Sequence, residues 1–160
     1  MLRMLPTGVD ELDARLILAL NRAPRAGIME LARQLKVARG TVQARLDKLQ
    51  ARGVITGFGP DLDLRVMGYT VLAFVTLEIA QGRLADVTQH LAGIPEVLEA
   101  HAVTGPGDLH CRVVARTNEH LQEVIARVLD VSGIMRTTTQ IALAEQLGHR
   151  LVPLVAELAK

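Results

Sequence analysis

Basic and apolar side chains alternate regularly in VARGTVQARLDKLQARGVI, residues 37–55. Val42, Leu46 and Leu49 recur every three or four positions, which is the spacing of one face of a helix. The pattern therefore predicts a helix from Arg39 to Arg52, ended by the glycine that follows. Basic groups along such a helix could bind the phosphates of a polyanion.

The opposite face of this helix has small or donor side chains at its centre, namely Gly40, Thr41, Ala44, Lys48 and Ala51. An ordinary solvated helix, which is the alternative interpretation, usually has more Glu and Lys there. Small side chains let a helix approach a nucleic-acid groove, where longer donors reach phosphates and base edges. We predict phosphate contacts for Arg39 and Lys48. Gln43 is predicted at a base edge, and Thr41 adds a further DNA contact.

Two predicted strands flank the turn Gly105–Asp108, with the sequence GPGD. The register that keeps the apolar side chains of both strands on one face pairs Ala102 with Cys111 and Ala100 with Val113. The glycines of the turn tolerate positive φ, and free N–H groups there can bind an anionic ligand atom. The alternative is that the aspartate only caps the turn and the glycines only permit it.

His101, His110 and Cys111 are metal-ligating residue types, but this register separates them. Cys111 lies on the apolar face and both histidines lie on the other, so the three cannot bind one ion without breaking the strand. The register also sets His101 opposite Arg112 and His110 opposite Val103. The chain shows no nucleophile elbow, phosphate-binding loop or pair of catalytic carboxylates. We therefore predict no catalytic residue, no metal site and no cofactor.

The charge of the 160-residue chain is unevenly distributed. Residues 1–55 contain ten Lys and Arg and five Asp and Glu, a net of +5, whereas residues 56–160 contain eight and twelve, a net of −4. This division suggests a polyanion-binding module joined to a domain with another task. A single cysteine and the absence of a leader pattern at Met1–Thr7 or of a long apolar run predict a cytoplasmic protein without membrane attachment.

Three helices are predicted in residues 1–55. The first has Asp10 as its N-cap and runs to Asn21, the second covers Ile28–Leu35, and the third is the basic helix described above. Three short helices with a brief turn before the third form the helix-turn-helix arrangement. Residues 56–69 are predicted as a connector with one short strand.

The remaining chain, residues 70–160, predicts the element order βαββαβ followed by a docking helix at its end. The strands are expected at residues 70–80, 97–104, 109–116 and 135–143, and the helices at 84–92, 118–129 and 153–160. This order is that of the ferredoxin-like split βαβ unit, so the fold class is α+β. Its helices cover one sheet face, while Leu72, Phe74 and Val114 lie on the other. That face needs a second sheet, which predicts a homodimer.

The segments VDELDARLILAL, MELARQLKV and TVQARLDKLQARGVITGF resemble the N-terminal winged helix-turn-helix of the Lrp/AsnC, or feast/famine, family of transcriptional regulators. The resemblance extends from Val9 to Leu143. It implies a sequence-specific regulator that binds double-stranded DNA and assembles as a homodimer or a higher oligomer, an octamer above all. The family usually has a serine before the third helix, where this chain has Ala38, so one cap and one phosphate contact are missing.

In the family's layout Arg45 could also contact a phosphate, and we include it among the DNA-binding residues. Its position at the border of the apolar stripe leaves a second role open, because it could instead form an ion pair with Asp13 or Asp47.

The resemblance further implies that residues 70–160 sense an amino acid or a related small metabolite at a contact between dimers. Gly105 and Asp108 match the family's Gly-x-x-Asp turn, and a Thr-x-Thr matches in the last strand. The family's aromatic residues after the aspartate are replaced here, which leaves the identity of the effector open. The implied effector-binding residues are Gly105, Gly107, Asp108, Leu109, His110, Thr137 and Thr139.

Three alternatives remain. A class of haem-pathway decarboxylases resembles Lrp/AsnC proteins over the whole chain, but its His-Tyr-Asn segment would fall where this sequence has DLHCRVVA. A single-strand-binding chaperone would need aromatic stacking platforms, and the only aromatic residues are Phe58, Tyr69 and Phe74. A DNA organiser without any effector is compatible with the sequence.

Overall fold

The computed structural model describes residues 8–160; Met1–Thr7, where we predicted no leader, lie outside them. The elements are α1 (Glu11–Arg22), α2 (Ile28–Leu35), α3 (Arg39–Ala51), β1 (Val71–Ile79), α4 (Leu84–Ala92), β2 (Val97–Ala102), β3 (Leu109–Ala115), α5 (Asn118–Leu129), β4 (Ile134–Ile141) and α6 (Val152–Leu158). They form two units, one of the described residues up to Pro60 with Leu147–Lys160, and one of Asp61–Gln146. None of the helices in residues 8–160 is long and apolar enough to cross a membrane.

The first unit is a helix-turn-helix. Asp10 and Asp13 form a capping box at the start of α1, in which each side chain accepts a hydrogen bond from the other's backbone N–H. The three helices share a core that includes Leu16, Leu31 and Leu49. Ala38 precedes α3, and because its side chain is a methyl group it makes no capping hydrogen bond to the first N–H groups of the helix.

The C-terminal helix α6 packs against α1 in the first unit. This differs from the predicted grouping, which placed the helix with the sheet in residues 70–160. An apolar stripe on a short helix shows that the helix must dock, but it contains no information about its partner. The partner is therefore decided by the tertiary structure.

The connector also differs from its prediction, because no strand forms between Gly53 and Tyr69. Its last part belongs to the second unit and makes a turn around Asp63, whose Oδ1 accepts hydrogen bonds from the N–H groups of Arg65 (2.8 Å) and Val66 (3.1 Å). An aspartate that bonds to the backbone two and three residues later stabilises a turn in preference to a strand.

The second unit has the predicted ferredoxin-like topology. Its four-stranded antiparallel sheet has the order β2-β3-β1-β4, and α4 and α5 pack on one face. Alternate side chains of β1, including Ala73, Val75 and Leu77, are completely buried against these helices. The other face, which we call the open face, contains Leu72, Phe74 and Val114, as predicted.

The register between β2 and β3 differs from the prediction by two residues. Ala100 pairs with Cys111 and Ala102 with Leu109, so His101 lies directly opposite His110. A shift of two residues leaves every side chain on its original face, so the apolar pattern cannot distinguish the two registers. The observed register is closed by a longer loop, in which the N–H of Val103 donates to the carbonyl of Asp108 at 3.1 Å.

Candidate DNA-binding and effector sites

Helix α3 has the two faces that its sequence predicts. Val42 and Leu49 are 1% exposed and belong to the core, with Leu46 packed beside them. The solvent-facing side chains include Arg39, Gly40, Gln43, Ala44 and Lys48, and Thr41 is half-buried at the border. No ion pair engages Arg39 or Lys48 within residues 8–160, so both cations are available to a ligand in solution.

Of its two predicted roles, Arg45 adopts the structural one, an ion pair within the protein. It pairs with Asp10 and with Asp13, whose Oδ1 lies 2.9 Å from the guanidinium, and not with Asp47. The Asp13 side chain is only 2% exposed and depends on this cation for its charge balance. The pair fixes α3 against the capping box of α1, so we no longer place Arg45 among the DNA contacts.

The pKa values of this cluster reflect the same contacts. Burial raises the pKa of Asp10, but the hydrogen bonds from Arg45 and from the Asp13 backbone outweigh it and leave the pKa below its ordinary value. Hydrogen bonds to Asp10 and Asp13 raise the pKa of Arg45. Both shifts favour the charged forms of Asp10 and Arg45.

Gln43, predicted at a base edge, forms a hydrogen bond within the helix. Its Nε2 donates to Oδ1 of Asp47 at 2.8 Å, and both side chains are exposed. This pair was not predicted from the sequence, although the spacing of four residues between a glutamine and an aspartate is typical of such a hydrogen bond on a helix. On the opposite flank Arg52 donates to the Gly8 carbonyl at 2.6 Å.

The turn between β2 and β3 is attached to β1. Oδ2 of Asp108 accepts a hydrogen bond from the N–H of Ile79 at 2.6 Å, and the Asp108 N–H donates to the Leu77 carbonyl at 2.8 Å. Gly107 has a φ of +88°, and a Cβ added there would lie 2.3 Å from Cγ2 of Thr76. Gly105 also has a positive φ of +96°, but open space surrounds it. Asp108 thus has one carboxylate oxygen occupied by backbone.

The predicted effector-binding residues divide between the two faces of the sheet. Leu109 is 4% exposed and lies on the helix side, as do Thr137 opposite Leu77 and Thr139 opposite Val75. The Thr137 hydroxyl is buried without a hydrogen-bond partner among residues 8–160. Thr139 lines an open cavity of about 530 Å³ between α5 and β4. The structure therefore does not gather the seven residues into one pocket of this chain.

His110 lies on the open face. Its ring stacks on Phe74 with a centroid distance of 5.7 Å, and its Nδ1 lies 3.1 Å from the Thr76 hydroxyl. Its neighbour His101 lies 3.2 Å from Glu99, whose pKa is lowered by hydrogen bonds from His101 and Arg112.

Cys111 lies on the helix side, as predicted, and burial raises the pKa of its thiol. No three His, Cys, Asp or Glu side chains in the described part of the chain are grouped to bind a metal ion.

A cavity of about 450 Å³ on the open face was not predicted. The Asp63 turn, β1 and β3 surround it, with Leu64, Leu72 and Arg112 among the lining residues. The connector was predicted as a separate segment, and no local pattern in the sequence places it over the sheet.

Two family models match the chain. Residues 9–50 match the AsnC-type helix-turn-helix domain, and residues 72–152, half of the chain, match the Lrp/AsnC ligand binding domain. The chain belongs to the Lrp/AsnC family. An HTH-type transcriptional regulator of Pyrococcus furiosus is 30% identical over 135 residues, which cover 84% of this chain and 91% of the relative. The HTH-type transcriptional regulator FL11 of Pyrococcus horikoshii is 29% identical over 135 residues, 84% of this chain and 89% of FL11.

Solved structures of the Lrp/AsnC family have the same fold. AsnC of E. coli superposes with a TM-score of 0.85 at 28% identity, over 91% of this chain and 99% of AsnC. The feast or famine regulatory protein of M. tuberculosis, solved in complex with L-methionine, has a TM-score of 0.79 at 25% identity, over 89% of this chain and 97% of that one. The protein is thus a helix-turn-helix transcriptional regulator, and the decarboxylase alternative is set aside.

Proposed function

We propose that this Lrp/AsnC protein binds double-stranded DNA in a sequence-specific way by inserting α3 into the major groove. The exposed face of α3 is the observation that supports the proposal, because its small central residues allow close approach and its cations have no partner within residues 8–160. Arg39 and Lys48 contact phosphates, Gln43 contacts a base edge, and Thr41 lies beside them. We also propose that the protein acts in the cytoplasm.

The experiment is in vitro selection of duplexes with the full chain, followed by gel-shift measurements on the selected and on scrambled sequences. A preference of at least about a thousandfold is expected for a specific regulator. Equal binding to both sequences would contradict specific regulation and leave a DNA organiser. Half-sites are expected about one helical turn apart, or a multiple of it.

We further propose that the protein is a homodimer, and that dimers assemble into an octamer. The open face supports the dimer, because Leu72 and Phe74 are only half-buried there and the nearby connector side chains Leu62 and Val66 are 67% and 85% exposed. A second copy would remove this apolar surface from water. Analytical ultracentrifugation at micromolar concentration tests both steps, since a monomer contradicts the dimer and a dimer alone contradicts the octamer.

The third part of the proposal is that an amino acid binds at the turn Gly105–Asp108. Oδ2 of Asp108 is occupied by the Ile79 N–H, which leaves Oδ1 for an ammonium group, while backbone N–H groups of the turn bind the carboxylate. Leu109, His110, Thr137 and Thr139 lie on different faces of the sheet, so they complete the pocket only if several subunits contribute. The methionine in the M. tuberculosis protein supports this class of ligand.

Thermal-shift screening of the twenty amino acids, followed by calorimetry, tests the effector site. Binding that disappears in Asp108→Asn supports the site, because the variant keeps an acceptor for the Ile79 N–H and loses only the charge. No binding, or binding that is indifferent to this change, would leave an assembly turn and favour an effector-independent organiser.

A further inference from the structure

The exposed face of α3 contains an acidic side chain, which is unexpected on a surface that approaches phosphates. Asp47 lies between the small central residues and Gln43 on the helix surface, and it is exposed. A carboxylate there repels the DNA backbone and weakens binding to every sequence. Such a residue is compatible with a DNA-binding face if it contributes to discrimination between bases.

The hydrogen bond between Gln43 and Asp47 determines which end of the glutamine amide faces outward. An ionised carboxylate only accepts hydrogen bonds, so the amide nitrogen of Gln43 must be the end that points to Asp47. The amide carbonyl of Gln43 is then directed away from this bond. Neither this carbonyl nor Oδ2 of Asp47 has a hydrogen-bond partner within residues 8–160.

The pair consequently presents acceptor oxygens, while the Asp47 carboxylate occupies an N–H donor of the Gln43 amide. In the major groove, adenine N6 and cytosine N4 are donors, whereas guanine and thymine present acceptors at the corresponding positions. We infer that Gln43 and Asp47 together read an exocyclic amino group, of adenine or cytosine, at one position of each half-site. This inference rests on the proposed insertion of α3 into the major groove. Asp47 acts as a positioning residue for Gln43 and as a second acceptor.

The experiment begins with the duplex selected by the full-length protein. Each adenine or cytosine in a half-site is replaced by an analogue that lacks the exocyclic amino group, and affinities are measured by gel shift. We expect one position where the loss of the amino group weakens binding about fivefold to a hundredfold. Gln43→Ala should make the protein indifferent to that replacement. If no replacement on either strand weakened binding, or if Gln43→Ala stayed as sensitive to it as the wild type, the inference would be overturned.

Asp47→Asn tests the role of the carboxylate. The variant lets the Gln43 amide turn over, so removal of the amino group should weaken its binding less than that of the wild type. Affinity for scrambled duplex should rise several-fold because a negative charge is lost. Glu30→Gln is the matched control, since Glu30 on α2 accepts from Gln34 at 3.2 Å with the same spacing and is also exposed. That control should leave the base preference unchanged.

The outcomes separate the two proposals. If the wild type selects a specific duplex but Asp47→Asn keeps its full base discrimination, the inference fails and specific DNA binding stands. If the wild type selects no sequence, the proposed function fails with it. Gln43→Glu gives an independent check, because it offers only acceptors and should retain the preference for an amino group at reduced overall affinity.

Discussion

Helix α3 and the turn Gly105–Asp108 carry the two proposed sites. The cations of α3 have no ion-pair partner within residues 8–160, whereas the aspartate of the turn is already hydrogen-bonded. On α3 the side chains Arg39 and Lys48 are exposed and have no ion-pair partner in the described chain. In the turn, Asp108 already binds the backbone of β1 through its carboxylate and its N–H. The proposed DNA-binding surface is thus formed by one chain, whereas the proposed effector site at the turn needs further groups to become a pocket.

The difference follows from how each surface is built. The position of side chains on a helix face is determined by local helix geometry. Packing of the opposite face against the core is sufficient to place them. A turn between strands must form hydrogen bonds to its own backbone groups and dock on a neighbouring strand. Its polar groups are therefore used within the fold and are less available to a ligand. Substitutions in either region can test this contrast.

The largest effect is expected where α3 is attached to α1. Arg45→Met should lower the free energy of unfolding by about 3 kcal/mol, at the low end for breaking a buried ion pair, since Arg45 is 28% exposed. Base preference of the folded protein should not change. Thermal denaturation and gel shifts measure the two effects, with Arg33→Met, an exposed arginine of α2, as the control.

The same cluster gives a pH dependence. The pKa of Asp10 is lowered in the folded state, so its contribution to stability is present above the unfolded value of 3.8 and is lost as the pH falls through the lower folded value. As the pH falls over this range, the free energy of unfolding should therefore decrease less in Arg45→Met than in the wild type. An identical decline in both proteins would argue against the ion pair.

The next effect concerns the turn. Gly107→Ala should destabilise the protein by about 2–3 kcal/mol, because it combines a positive φ with a contact of 2.3 Å to Thr76. Gly105→Ala has only the positive φ in open space and should cost about 1 kcal/mol. Chemical denaturation compares the two variants. Equal losses would mean that the turn does not dock tightly on β1.

A smaller effect is expected for single cations of α3. Arg39→Ala and Lys48→Ala should each reduce the slope of log affinity against log salt by about one, on all duplex sequences, with little change in stability. Gel shifts over a range of salt concentrations measure the slope. If either variant changed the preferred sequence and kept the slope, its assignment to phosphate would be wrong.

The smallest effect comes from the missing cap of α3. Ala38→Ser supplies an oxygen for the first N–H groups and should raise stability by about 0.5–1 kcal/mol. The thermal midpoint is the measurement. No change would indicate that tertiary contacts already order the first turn of α3.

Local patterns in the sequence are enough to predict the helices and strands of this protein. Caps, apolar periods and turn residues act within a few positions of one another, which is why α2, α4 and α5 have their predicted bounds and the other helices and strands of the structure differ by two residues or fewer. The short strand predicted in the connector is the exception, because it does not form. The faces of α3 and of β1 follow from the same local periods, 3.6 and 2. The proposed DNA contacts on α3, apart from Arg45, therefore needed no tertiary information.

Which helices and strands contact one another depends on tertiary packing, and local patterns did not predict it. The register of β2 with β3 could shift by two residues without changing any face, and the shift brought His101 opposite His110. Helix α6 could dock on either unit, and it packs on α1. The sequence offered two possible acidic partners for Arg45, and the structure pairs it with Asp13. It also pairs with Asp10, which was predicted only as a helix cap. Long-range contacts of this kind depend on the closure of loops and on competing surfaces, which local patterns do not encode.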